Sequence, residues 1–198
     1  MDGRILELLP SWSGLYVLDL GCSTCEEGEA LLDAGAKLTC VDQDAVTLAE
    51  TAKRLPDATC IANDAARFAP IDGERFDVVL VRRPDVAIQT EGWRAAFRKI
   101  PTWTSQSGRV IVTTPGAMEA RIVRTWLQET DARRIKEAVM DWKDEGHVLI
   151  AEGIDPRDEK PQAPSPAGLL AWESSEVPLV CDVRTGKCTP VGKPETDL

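Results

Sequence analysis

The 198-residue chain reads as an α/β protein: a doubly wound, mostly parallel seven-stranded sheet with helices on both faces and a C-terminal antiparallel hairpin. Three observations predict it. Continuous apolar runs of strand length alternate with longer segments of helical periodicity, the order of β/α units on a parallel sheet. The stretch from Val17 to Gly28, V-L-D-L-G-C-S-T-C-E-E-G, sets an apolar strand against a small-residue turn that opens an acidic helix. Near the end of the alternation, residues 135–142 and 147–151 flank the polar Lys143-Asp144-Glu145-Gly146, which predicts two strands joined as a hairpin.

The elements follow in order. Ile5, Leu8 and Leu9 share one side of a short helix that Pro10 ends. Residues 15–20 are apolar apart from Asp19, the pattern of a strand buried on both faces. A helix over 27–34 stops at Gly35, and a second buried strand over 38–41 ends at Asp42. Asp44 caps a helix that runs through Leu55, with Pro56 as its stop. Residues 58–62 and 76–81 supply the third and fourth strands, the latter rich in β-branched residues. Trp93, Ala96, Phe97 and Ile100 recur at helical spacing over 93–99 and just beyond. Gly108 introduces a fifth strand over 110–113, and a helix over 118–129 turns Ile122, Val123, Trp126 and Leu127 inward. After Ile154 the composition shifts, since seven of the thirteen prolines lie at or beyond Pro156. That change divides the chain into a domain over 1–154 and an extension over 155–198, with a Pro-rich linker and a β-hairpin around Thr185-Gly186.

Composition narrows the function classes. A net charge of −10 opposes bulk attraction to phosphate backbones and anionic lipid, leaving Arg82/Arg83 and Arg133/Arg134 as candidates for a local basic patch. No apolar run approaches the roughly 20 residues of a membrane span. The first ten residues lack the pattern of a secretory signal, so a cytoplasmic location is expected. The expected partner is a small-molecule substrate, and homodimerisation is left open.

Cysteines stand at 22, 25, 40, 60, 181 and 188. Cys40 and Cys60 fall in strand-like runs, where a thiol acts as a small hydrophobe. The Cys22-x-x-Cys25 pair admits three readings: half of a zinc site, a redox pair at a helix start, or small residues in a cofactor turn. Only the third also accounts for the preceding strand and Asp19, and no metal site is assigned. Cys181 and Cys188 would face one another across the terminal hairpin. His147 is the single histidine, and no Ser/His/Asp or Cys/His constellation is recognisable. No catalytic base is assigned.

In a doubly wound sheet the ligand lies at the carboxyl ends of strands where their order reverses. Asp19 and Gly21 end the first strand. Asp42 ends the second, 21 positions after Gly21, a spacing suited to a carboxylate that accepts ribose hydroxyls, with a helix cap as its other reading. Asn63-Asp64-Ala65 follows the third strand, and Arg82-Arg83-Pro84-Asp85 follows the fourth. A dinucleotide fingerprint counted from Gly21 would need glycine where Ser23 and Glu26 stand, and Glu26 and Glu27 would crowd a pyrophosphate.

The Val17–Gly28 stretch, with these strand ends, resembles motif I of the class I S-adenosylmethionine-dependent methyltransferases. Of that motif's three alternating glycines, Gly21 is kept and Ser23 and Cys25 replace the others. The resemblance covers about the first 154 residues and implies S-adenosylmethionine as cofactor. It implies that Asp19, Gly21, Cys22, Ser23 and Cys25 form the methionine-side turn and that Asp42 takes the ribose. Gln43, Asp64 and Ala65 would meet the adenine, with an Asx turn as the other reading of Asp64. Arg82, Arg83 and Asp85 would face the substrate, Arg83 holding an anionic group or pairing internally with Asp85 or Asp64. Two functions are compatible with it: methyl transfer to a small-molecule acceptor, or a methyltransferase-like binding or regulatory module without catalysis. Cys25 separates them, since a side chain directed into the cofactor space would obstruct it.

Overall fold

The computed structural model describes residues 3–142, 145–157, 179–182 and 187–190. The expected linker from residue 158 onward, the apolar segment 169–172 and the Thr185-Gly186 turn lie outside the described residues. The strands are β1 (Tyr16–Leu20), β2 (Lys37–Asp42), β3 (Thr59–Ala62), β4 (Phe76–Arg82), β5 (Thr104–Thr114), β6 (Arg134–Trp142), β7 (Glu145–Glu152), β8 (Leu179–Asp182) and β9 (Lys187–Pro190). The helices are α1 (Gly28–Asp33), α2 (Ala45–Arg54), α3 (Thr90–Trp103) and α4 (Ala117–Gln128). The first segment, Gly3–Leu8, is a 3-10 helix.

All the strands lie in one sheet of order β6-β7-β5-β4-β1-β2-β3-β8-β9. The first seven form the expected architecture: β1 to β5 are mutually parallel, and β6 and β7 add an antiparallel pair beside β5. The sheet exceeds the expected seven strands by two, because β8 pairs antiparallel with β3 and β9 with β8. Cys181 and Cys188 are register partners there. Strand order reverses around β1, which has β4 on one side and β2 on the other, so a crevice opens where β1 and β4 end.

The core follows from the period of two along these strands. Leu18 and Leu20 of β1 and Val79 and Val81 of β4 are fully buried on the face that meets Phe97 and Ile100 of α3 and Val123 and Leu127 of α4. Val17, Val78 and Leu80 point the other way, to Leu31 of α1 and Leu48 and Ala52 of α2. Helices therefore cover both faces. Asp44 caps α2 through bonds from the Val46 and Thr47 amides, and α2 ends at the Leu55-Pro56 boundary.

Two boundaries depart from the periodicity. Helix α3 continues past Lys99 through Pro101, whose carbonyl accepts from Arg75 and from the Arg157 amide. Strand β5 begins at once after α3, well before Gly108, and its pairing with β4 shifts between Phe76 and Val78. Gly108 sits at that irregularity, where a Cβ would stand 2.9 Å from the Phe76 carbonyl oxygen and 2.4 Å from the Thr104 methyl. Backbone crowding of that kind cannot relax by side-chain rotation. Gly108→Ala should therefore lower stability by about 1–3 kcal/mol, measured as a shift in the urea midpoint with the slope unchanged.

Candidate functional site

The site is built on the β1–α1 turn, whose backbone is left-handed at alternate positions: Gly21 has φ +72°, Ser23 +48° and Cys25 +46°. Left-handed backbone is strained for residues with a Cβ, so neighbours must hold it. The Gly21 and Cys22 amides donate to the Val41 carbonyl at 2.8 and 3.1 Å. The Ser23 amide donates to Asp42 Oδ2 at 2.7 Å, while Asp42 Oδ1 accepts from the Asp44 amide at 2.8 Å. From α2, Thr51 donates its hydroxyl to the Ser23 carbonyl, and Arg54 donates to the carbonyls of Thr24 and Cys25. Every carbonyl from Ser23 to Cys25 is thus engaged.

Asp19 lies beneath the turn and is 2% exposed. Its Oδ2 accepts from the Cys25 thiol at 3.1 Å, and its Oδ1 has no hydrogen-bond partner among the described residues. Burial pushes the Asp19 carboxyl up to about 6, against the opposing pull of the Cys25 thiol and the Arg82 charge. The Cys40 thiol bonds to Cys25 at 3.5 Å; this alone would lower the Cys25 pKa, but burial and the Asp19 charge push it up to about 11. The Cys22, Cys25 and Cys60 thiols and burial hold Cys40 well above the usual thiol range. Cys25 and Cys40 are therefore protonated, buried packing groups, while the Cys40 hydrogen bond pulls the Cys60 thiol down. Among the described residues no set of three or more His, Cys, Asp or Glu side chains is arranged for a metal ion.

Two cavities meet at Gly21 and Arg83. One, of about 210 Å³, opens between the ends of β2, β3 and β4, with Asp42, Gln43, Asp64 and Ala65 on its wall beside Asp85 and Trp93. The other, of about 340 Å³, lies along the turn and is lined by Cys22, Ser23, Thr24, Glu26 and Arg82. Gly21 is required where they join, because a Cβ there would meet the Trp93 ring at 2.7 Å. Asp64 also forms a local turn, accepting from the Ala66 amide at 2.7 Å.

Cys25 lines neither cavity. Its thiol points down to Asp19 and Cys40, at 3.1 and 3.5 Å. The two arginines after β4 divide in the same way. Arg82 is turned inward, donating to Glu145 Oε1 from Nε at 2.8 Å and lying 3.7 Å from Glu27. Burial by itself would lower its pKa, but the Glu145, Glu27 and Asp19 carboxylates outweigh that and raise it. Arg83 is exposed and left-handed, φ +47°, with its amide on the Thr113 carbonyl at 3.0 Å. Neither Asp85 nor Asp64 pairs with it among the described residues; its ion-pair contact is Glu145 at 3.8 Å.

Glu145, Thr113, Arg54 and Trp93 belong to this site and have no marker in the sequence pattern. Glu145 sits in a run that reads as a turn, yet it is buried at the start of β7 and bonded to Thr113 Oγ1 at 3.1 Å. His147 pairs with Glu137 and lines neither cavity. Arg133 and Arg134 pair with Asp155 and Glu152 on the surface.

Residues 17–108 match a family described as a methyltransferase domain. No curated protein sequence matches. The fold is similar to magnesium protoporphyrin IX methyltransferase (ChlM) from Synechocystis PCC 6803 with bound SAH, at 18% identity and a TM-score of 0.59 over 76% of this chain and 78% of that one. It is similar to the N-methyltransferase NodS from Bradyrhizobium japonicum WM9, at 17% identity and a TM-score of 0.62 over 79% and 93% of the two chains. A TehB-like SAM-dependent methyltransferase from Corynebacterium glutamicum is 18% identical with a TM-score of 0.58, over 75% and 84%. Identities of this size speak for the fold.

The buried Asp19 carboxyl makes stability pH-dependent with a known sign. Its folded pKa, about 6, lies above the ordinary value of 3.8, so the folded state holds the proton more tightly and stability falls as pH rises between them. Asp19→Asn removes this dependence. The variant should gain on the native chain by up to roughly 3 kcal/mol as pH rises through that window and level off above it. Parallel denaturation curves at all pH values would contradict the assignment.

Proposed function

We propose that the chain, which matches a methyltransferase-domain family over residues 17–108 and shares its fold with S-adenosylmethionine-dependent methyltransferases, is a class I enzyme of that kind and transfers a methyl group from S-adenosylmethionine to a small-molecule acceptor. The observation that carries this reading is the pair of cavities joined at Gly21, with Asp42 on one side and the small-residue turn on the other. They share Gly21 and Arg83 as lining residues at the ends of β1 and β4.

The residues present suit that cofactor. Each Asp42 oxygen accepts one amide and keeps a second lone-pair site for a ribose hydroxyl. Gln43, Asp64 and Ala65 would border the adenine, and Gly21, Cys22 and Ser23 the methionine portion. Cys25 supports the turn from below through Asp19. Its thiol lines neither cavity, which supports methyl transfer over a module without catalysis. The groove's carboxylates, Asp42, Asp64, Asp85 and Glu26, favour a cationic cofactor over a pyrophosphate.

When bound, S-adenosylmethionine supplies an electrophilic methyl on a sulfonium sulfur. The protein's part is to hold the acceptor in line with that carbon and exclude water, which needs no dedicated base. Arg83 and Asp85 stand at the mouth of the groove, on the acceptor's side. Arg82 is a positioning residue, since its guanidinium is committed to Glu145.

Titration calorimetry with S-adenosylmethionine and its demethylated product tests the reading. The full chain should bind both, and Asp42→Ala should weaken each by at least about tenfold through loss of hydrogen bonds to a charged group. No heat of binding at millimolar cofactor would overturn the assignment. Unchanged affinity in the variant would remove Asp42 from the ribose site.

A further inference from the structure

We infer that the acceptor carries an oxyanion, a carboxylate or phosphate group, and that Arg83 receives it at the junction of the two cavities; this rests on the methyltransferase reading above. Arg83 is the only cation among the described residues lining the smaller cavity, and it also lines the larger one. Its side chain is 44% exposed. The carboxylate oxygen nearest to it, Glu145 Oε1, already accepts two bonds from Arg82 and one from Thr113, at 2.7, 2.8 and 3.1 Å. At 3.8 Å the Arg83 Nε makes only a long contact with that oxygen. The guanidinium therefore keeps a planar set of donors suited to a bidentate oxyanion.

The backbone points to the same use. A left-handed arginine is costly, and here it is held by a forked bond from its amide to the Thr113 carbonyl and hydroxyl at 3.0 and 3.3 Å. Thr113 in turn donates to Glu145, so one network turns Arg82 inward and Arg83 outward. The surrounding carboxylates sharpen the selection. Asp42, Asp64 and Asp85 each accept a backbone amide and form no ion pair with Arg83 among the described residues, so they repel an anion everywhere on that wall except at the guanidinium.

An oxyanion at Arg83 has two sources, the acceptor or the cofactor's own methionine carboxylate, and the experiment separates them. The full chain, saturated with S-adenosylhomocysteine, is titrated with inorganic phosphate and with acetate against a chloride control of equal ionic strength. Arg83→Gln and Arg83→Lys are treated alike, and methylthioadenosine, which lacks the carboxylate, replaces S-adenosylhomocysteine in a parallel series. Phosphate or acetate should bind the saturated native chain. Arg83→Gln should weaken that binding about tenfold or more and Arg83→Lys less, with affinities for both nucleosides within about twofold of native. If the variants lose S-adenosylhomocysteine but keep methylthioadenosine, the anion is the cofactor's and the inference fails. Anion binding no stronger than the chloride control overturns it while leaving the cofactor assignment standing. Failure of the native chain to bind S-adenosylhomocysteine overturns both. Retained binding of both nucleosides shows that the variants are folded.

Discussion

The site depends on keeping the β1–α1 turn left-handed at three alternate positions, only one of which is glycine. A side chain in that conformation costs on the order of 1 kcal/mol or more, and no single bond offsets it. The turn is instead clamped from two directions. The end of β2 grips it through the Val41 carbonyl and the Asp42 carboxylate, and α2 grips it through Thr51 and Arg54. Asp42 thus presets the groove's shape as well as lining it.

That clamp explains why cysteine is tolerated at a position where the methyltransferase motif that this stretch resembles has glycine. At Cys25 the clamped turn directs the side chain into the core, onto Asp19 and Cys40, whereas the equally left-handed Ser23 faces the larger cavity. Gly28 makes room for it, because a Cβ there would stand 2.9 Å from the Cys25 sulfur and 2.3 Å from Leu55. The thiol also supplies the one hydrogen bond that Asp19 receives from a side chain among the described residues. Below the groove, charge is balanced by burying Arg82 among Asp19, Glu27 and Glu145, a pairing that is costly to break once desolvated. One arginine serves the interior so that the next remains open to the groove.

Much of this was legible in the chain. Strand and helix alternation, the Asp44 cap and the polar strand ends at Asp19, Asp42, Asp64 and Arg82-Arg83 follow from local patterns of period and small residues. What escaped has a common physical cause: it depends on contacts distant in sequence. Glu145 looks like part of a turn because its neighbours are polar; its burial comes from Arg82 and Thr113, 63 and 32 positions away. Trp93 reads as a core residue of an amphipathic helix, and only packing lays its ring on Gly21. The additional strands β8 and β9 join at β3, an edge that periodicity does not mark as open.

The sequence by itself determined the doubly wound fold and which strand ends would gather in the crevice, because hydrophobic period and turn chemistry are local properties. The tertiary structure decided which way the ambiguous side chains face. Backbone handedness at Cys25, and the competition of Arg82 and Arg83 for Glu145, are settled by partners brought together only on folding. They place the thiol in the core and leave one guanidinium in the groove.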